Sequence, residues 1–586
     1  MSSRQHNQYD PVSDAFADMR RVFVGVAGFS LFTSLLMLTG PLYMLQVYDR
    51  VLASSSVHTL VALTVLIFVL YTGFAILDWV RNSILSRVGS RFEDVLGDRT
   101  LIATIREKLG DPGKGSDKPI RDLRQVRRFI GSPAVTATFD APFSLMFLLI
   151  IFMIHWWYGL LALFGGIVLV GIAFLNQSLS NKAVRESEVL EYEAQTRVTE
   201  ISQNAEIIEA LGLGDRVRKK WRDEFDRSDA ALVASSSLLG RFSSGTKSFR
   251  LFLQSSVLGV GAYLSIIGIS TPGEMIAASI LTGRAIGPIE QLVGQWRSIV
   301  SARAAWVSLS ETLMGQADQD DSMELPPVRG DIEFEGVSAG PPGAKKPFLS
   351  QLNFKIAAGD VVGVIGPSAA GKSTLVRILL GLWPAQIGTV RIDSADISTW
   401  SRDILGPQLG YLPQQVDLFS GRIHENISRF DPDASSEAVI AAAQAAGCHD
   451  MILHLPDGYD TEIGLRGAYL SAGQRQRIGL ARALYGEPNI VVLDEPNSNL
   501  DNVGEVALQK AIAGLRARNA TVIMVAHRPK SIGQCNKLLM LENGRMRAYG
   551  PRDDVLAEVA PANVVQPKSV KSNSRLKAVP QGGSDD

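Results

Sequence analysis

The chain is poor in cysteine. Only Cys448 and Cys535 occur in 586 residues, far apart and without metal-ligand spacing. That excludes a disulfide framework and a cysteine metal site, and it suits a reducing compartment. An excess of either charge is also missing: 58 Lys and Arg stand against 59 Asp and Glu, a net charge of -1. Nucleic-acid binders are usually basic, so no nucleic-acid partner is expected. Residues 1–20 are polar and hold no cleavable signal pattern. The second half of the chain lacks the long apolar runs that fill the first. The mean hydropathy of +0.12 therefore averages two unlike halves.

In the first half, apolar runs extend from Val22 to about Leu45, Val57 to about Val80, Val135 to Ile154, Trp157 to Leu175, Leu251 to Ile267 and Met275 to Ile289. Each approaches the roughly 20 residues that cross a bilayer. The fifth and sixth are the weakest, at Gln254 and at Arg284 with Pro288. Their connections set the orientation. Asp49–Ser56, His155–Trp156 and Gly268–Glu274 contain one basic residue, Arg50. The two long connections are rich in Arg and Lys, including Arg81, Arg87, Arg91, Lys182, Arg185 and Lys219. Basic loops stay in the cytoplasm, so both termini and the second half are expected there. Arg81–Leu109 and Asn176–Arg241 have few helix breakers and are expected to carry the spans on as cytoplasmic helices. Breaks are expected at 110–115 and at Gly212–Gly214, and short elements near Arg121–Phe129 and Leu211–Trp221 are expected to reach the second half. Arg284 either lines a polar path or snorkels to an interface.

The second half is organised around Gly366-Pro367-Ser368-Ala369-Ala370-Gly371-Lys372-Ser373-Thr374. A buried strand, Val361–Ile365, leads in and a helix follows, which makes this a P-loop. Its backbone N–H groups and the helix N-terminus suit phosphate. Lys372 is placed for the outer phosphates and Ser373 for a magnesium ion. Further on, Tyr411-Leu-Pro-Gln414 follows an apolar stretch, and Gln414 suits magnesium and the attacking water. Leu470-Ser471-Ala472-Gly473-Gln474 opens a helix and could take another phosphate through hydroxyl and N–H groups. The apolar strand Ile490–Leu493 ends in Asp494, which suits the magnesium shell, and Glu495, which suits a base. A second apolar strand ends in His527, placed for a γ-phosphate.

These motifs, in this order over about 330–560, resemble the nucleotide-binding domain of the ABC transporter ATPases. In that family the segment Ser471-Ala472-Gly473-Gln474 serves the opposite subunit's site. The resemblance therefore implies a homodimer with two shared ATP sites, ATP and Mg2+ as cofactors, and an ATP hydrolase coupled to transport. Relatives often place a tyrosine before the P-loop to stack on adenine. Here Val337–Gly343 has no aromatic, and Phe334 and Phe348 are the nearest rings.

A likeness over nearly the whole chain rests on Pro41–Val51, Asp122–Gln125, Ser132-Pro133, Phe139–Pro142, Gly283-Arg284-Ala285 and Pro288. With these the chain resembles the type I secretion permease/ATPases, similar to the protease and lipase secretion exporters. The fold implied is an α-helical six-span transmembrane domain of the ABC exporter type fused to an α/β P-loop domain. The expected divisions are 1–21 as a cytoplasmic N-terminal segment, 22–315 as the transmembrane domain, 316–329 as a linker, 330–560 as the nucleotide-binding domain and 561–586 as a disordered tail. The implied function is export of unfolded proteins through a bacterial inner membrane. The implied partners are a periplasmic adaptor (membrane fusion) protein, an outer-membrane channel, a secreted substrate with a C-terminal signal, and membrane lipid. The alternative is an ABC exporter of lipid, drug or polysaccharide. Intact Lys372, Asp494, Glu495 and His527 argue against a degenerate regulatory protein.

Overall fold

The computed structural model describes residues 10–110, 117–314, 326–344 and 346–559. Of the break expected at 110–115 only Gly110 is described, as the last residue of a helix, and most of the linker and the tail lie outside the described residues. The chain divides into two compact units, Met1–Asp320 and Asp321–Asp586.

The first unit is helical. Among the described residues, five of its helices are long and apolar enough to cross a membrane: Arg20–Ser54, Val57–Gly110, Pro133–Ile154, Trp156–Gln203 and Gly214–Ile266. A sixth, Pro272–Gly294, has 23 residues and is less apolar, in keeping with Arg284 and Pro288. The second helix runs for 54 residues, roughly 80 Å against a hydrocarbon core of about 30 Å. None of its residues before Arg81 is buried, and Phe68 is 72% exposed. From Arg81 on, Leu85, Val88, Phe92 and Leu96 are buried at helical spacing. One helix thus has an exposed apolar half and a packed half.

Two of the spans are kinked, and one expectation needs correction. The first apolar run kinks at Leu38, between Arg20–Met37 and Thr39–Gln46, and continues into a π-helical turn, Val47–Val51. Pro41 cannot donate back to the preceding turn. Pro142 acts similarly in the third run, where a 3-10 turn, Ala141–Phe143, separates Pro133–Asp140 from Ser144–Ile154. The stretch from Asn176 to Arg241, expected to break only at Gly212–Gly214, breaks at Asn204 as well as at Gly212, whose φ is +61°. The polar N-terminus also holds a helix that the sequence reading did not see. Pro11–Asp18 is capped by Asp10 and buries Val12 and Ala15. Asp10 also accepts from Ser310, at 2.8 Å.

Polar contacts lock the helices together. Arg81 donates to Asp78 at 2.6 Å, to Asp140 at 2.7 Å and to Ser30 at 3.0 Å, joining three helices. Asp49 accepts from Thr271 at 2.7 Å and from the Gly273 N–H at 2.9 Å. A Cβ on Gly273 would lie 2.6 Å from that carboxylate, so glycine is required for the approach. Helix Lys118–Ile130, which covers the element expected at Arg121–Phe129, buries Leu123, Val126 and Ile130 within this unit. Arg284 is exposed and has no ion-pair partner among the described residues.

Among the described residues, the second unit holds two sheets. Strands β1 (Ile332–Ala339), β2 (Leu349–Ile356), β4 (Ile387–Ile392) and β5 (Ala395–Asp396) form an antiparallel sheet in the order β2-β1-β4-β5. Strands β3 (Val361–Ile365), β6 (Leu409–Leu412), β7 (Ile490–Asp494), β8 (Thr521–Val525), β9 (Lys537–Glu542) and β10 (Arg545–Pro551) form the other, in the order β10-β9-β3-β8-β7-β6. β9, β3, β8, β7 and β6 are parallel, and β7 and β8 are buried along their whole length. Sheets covered on both faces need such continuous apolar strands. The register pairs Val364 with Val525, Val525 with Asp494 and Leu412 with Leu493. The carboxyl ends of β3, β8, β7 and β6 are therefore level, and the motifs that follow each strand come to one edge.

Candidate nucleotide site

After β3 the chain turns through Gly366 with φ +148°. A Cβ there would lie 2.2 Å from the Leu541 carbonyl oxygen. Gly371, with φ +103°, caps the helix Lys372–Leu379. Between them Pro367, Ser368 and Ala369 are exposed and Ala370 is buried. Ala369 is left-handed, with φ +62°. Lys372 is buried, and its Nζ donates to the carbonyls of Gly366 at 2.9 Å and Pro367 at 2.8 Å. Burial lowers its pKa, against the opposing charges of Glu495 and Asp494. Ser373 and Thr374 stand in the helix's first turn, half-buried.

Asp494 closes β7 and is 5% exposed. Its Oδ1 is buried with no hydrogen-bond partner among the described residues. Burial raises its pKa, as does the charge of Glu495, while Arg377, Lys372 and His527 oppose the rise. A buried carboxylate oxygen without a donor is a place for a cation.

Glu495 follows with φ +51°, a left-handed conformation that costs a non-glycine residue about 1–3 kcal/mol and clusters at functional sites. Its Oε1 lies 3.0 Å from His527 Nε2, and its Oε2 accepts from Gln414 Nε2 at 3.1 Å. Residues following three different strands thus meet on one carboxylate.

Ser471 caps the helix Ala472–Leu484. Its Oγ accepts from the Gln474 N–H at 3.2 Å, and Gln474 Oε1 accepts from the Ser471 N–H at 2.8 Å. This reciprocal capping box orders the helix start. Among the described residues, no hydrogen bond or ion pair joins Ser471, Gly473 or Gln474 to residues 366–374. The structure brings together Lys372, Asp494, Glu495, Gln414 and His527 and leaves the signature residues to themselves.

Of the two rings, Phe334 is 1% exposed and stacks on Phe354 with centroids 4.5 Å apart, inside the core. Phe348 is 44% exposed and touches the P-loop: a Cβ on Gly371 would lie 3.0 Å from its ring. The sequence reading also passed over Gln476, which is 2% exposed. Its signal was a polar residue on the face that Gly479, Leu480 and Ala483 bury.

Known proteins match both units. The ABC transporter transmembrane region family matches residues 23–289, and the ABC transporter family matches residues 349–498. The type I secretion system ATP-binding protein PrsD of Rhizobium meliloti (strain 1021) is 42% identical over 588 residues, 99% of each chain. The alpha-hemolysin translocation ATP-binding protein HlyB of Escherichia coli O157:H7 is 30% identical over 92% of this chain and 77% of its own length. Among solved structures, a bacterial Atm1-family ABC exporter with ATP bound superposes with a TM-score of 0.79 over 92% of this chain and 97% of that one, at 24% identity, a likeness of fold. Phosphate loop, paired acids and membrane helices therefore sit in one chain that belongs to the ABC transporters, in the group of type I secretion ATP-binding proteins, whose ATPase domain couples hydrolysis to transport.

Proposed function

We propose that this protein is the inner-membrane exporter of a type I secretion system and moves unfolded proteins at the expense of ATP. The observation that carries this reading is the likeness to PrsD, which runs through the membrane helices as well as the ATPase. ATPase motifs alone would serve any cargo.

The working form is a homodimer with its nucleotide-binding domains in the cytoplasm. Lys372 and residues 366–374 bind the phosphates, and Phe348 stacks on adenine. Asp494, with its unpartnered oxygen, holds a magnesium ion together with Ser373 and Gln414. That ion would offset phosphate charge. Glu495 accepts the proton of the attacking water. His527 and Gln414 keep its carboxylate oriented and contact the γ-phosphate and the water. Ser471, Gly473 and Gln474 face the nucleotide of the partner subunit, where a helix N-terminus favours anions. The expected partners are a periplasmic adaptor, an outer-membrane channel, a secreted protein with a C-terminal signal and the surrounding lipid.

The test uses the purified dimer with its adaptor in lipid vesicles. ATPase activity should respond to the C-terminal segment of a co-encoded secreted protein. A response to a lipid and never to that segment would overturn the protein-export reading and leave the ATPase reading standing.

A further inference from the structure

Glu495 is held in a left-handed conformation, with φ +51°. Such a conformation persists only where neighbours enforce it. On one side Gln414 and His527 meet the carboxylate itself. On the other, the loop 495–501 lies against the signature helix Ala472–Leu484. Gln476 reaches from that helix into the loop. Its Nε2 donates to the Pro496 carbonyl, with the Glu495 carbonyl and Ser498 Oγ each 3.5 Å away for its second hydrogen, and its Oε1 accepts from the Asn499 N–H at 3.0 Å. It is 2% exposed, so these bonds form where water cannot replace them. Two further contacts join the same elements. A Cβ on Gly473 would lie 3.0 Å from the Asn499 carbonyl oxygen. Arg477 Nη2 donates to both Asp501 oxygens, at 3.1 and 3.2 Å.

We propose that Gln476 is a positioning residue for hydrolysis: its side chain fixes the backbone turn that presents the Glu495 carboxylate. The inference rests on the reading of Glu495 as the base. Gln476 lies two residues beyond the signature and within the same chain as the carboxylate it positions. One helix therefore carries the signature at its start and the support of this chain's own Glu495 one turn later. Asn497, whose Nδ2 donates to Ser531 Oγ at 3.1 Å, pins the loop from the His527 side and leaves Gln476 as the buried polar link to the signature helix.

The test compares full-length dimers in lipid vesicles. Gln476→Met keeps the length and apolar volume and removes every hydrogen bond. It should lower kcat by about tenfold or more, with the KM for ATP within about twofold, while the buried groups it leaves unpaired lower the melting temperature by only a few degrees. Gln476→Glu, which keeps the acceptor for the Asn499 N–H and loses the donor, should show the same split and keeps the test open should the Met variant fold poorly. A general loss of structure would add to any other lesion, whereas a positioning role acts only through Glu495. Gln476→Met should therefore remove nothing more from the residual turnover of Glu495→Gln. A kcat near that of the parent, or an additive loss in the double variant, would overturn the proposal. High turnover in Glu495→Gln alone would instead remove the base assignment.

Discussion

Arg81 in the helical unit and Asp494 in the ATPase unit are equally buried, each 5% exposed. Their surroundings differ. The Arg81 guanidinium meets two carboxylates and a serine hydroxyl and leaves only its Nε without a partner, while among the described residues no hydrogen bond or ion pair meets the Asp494 carboxylate, whose Oδ1 is buried. A buried charge met by opposite charges from neighbouring helices is part of the architecture. One left open at a strand end is kept for something that arrives. The outer surfaces contrast in the same way. Phe68 and Trp79 stand exposed on the long helix, while β7 and β8 hide all their apolar side chains in the other unit. Lipid reverses the usual rule about which side chains face out.

The comparison can be broken first at Arg81. Arg81→Met would strand Asp78 and Asp140, and we expect it to cost about 3–5 kcal/mol, read as a large drop in the melting temperature of the detergent-solubilised protein. Arg284→Ala should leave that temperature unchanged while lowering export, because Arg284 is exposed and without an ion-pair partner among the described residues. Equal losses in the two variants would erase the distinction between architectural and available charge.

In the ATPase unit the largest effect is on rate. Glu495→Gln should cut turnover by roughly 10²-fold or more while nucleotide still binds, as measured by phosphate release and nucleotide binding on the same sample. Normal release would remove Glu495 from the chemistry.

Asp494→Asn sharpens the contrast with Arg81. Burial raises the Asp494 pKa, so ionisation weighs against the nucleotide-free fold. Protonation relieves that cost below the ordinary carboxylate pKa, and the relief is lost as pH rises through the raised value. At neutral pH, Asp494→Asn should abolish hydrolysis and raise the melting temperature, by about 2–4 °C for each kcal/mol relieved. A lower melting temperature would mean that the open oxygen is structurally needed.

The smallest effect is expected at Ala369. Its left-handed backbone, φ +62°, costs about 1–2 kcal/mol. A glycine there would remove that cost and lose about 0.5–1 kcal/mol to chain entropy. Ala369→Gly should change stability by less than about 1 kcal/mol, read by denaturant melting.

The P-loop, the paired acids and the strand-end histidine were legible because each is a short run of residues whose chemistry is local. The six apolar runs were legible because bilayer thickness fixes their length. What the sequence hid depends on partners far along the chain. Arg81 was read only as one of many basic residues, because Asp140 lies 59 positions away. Gln476 is one polar residue in a helix of ordinary composition until the loop 495–501 closes over it. The kinks at Leu38 and Ala141 follow from single prolines inside runs that hydropathy treats as continuous.

The helix Val57–Gly110 has a mechanical consequence. Its 54 residues form one uninterrupted rod. Over roughly 80 Å, a tilt of about 5° at one end carries the other end by roughly 7 Å. A modest change of angle within the bilayer thus becomes a displacement of several ångströms at Gly110 with no hinge in between. Leverage of this kind rewards stiffness, and a proline placed midway along that rod would absorb the stroke before it arrived.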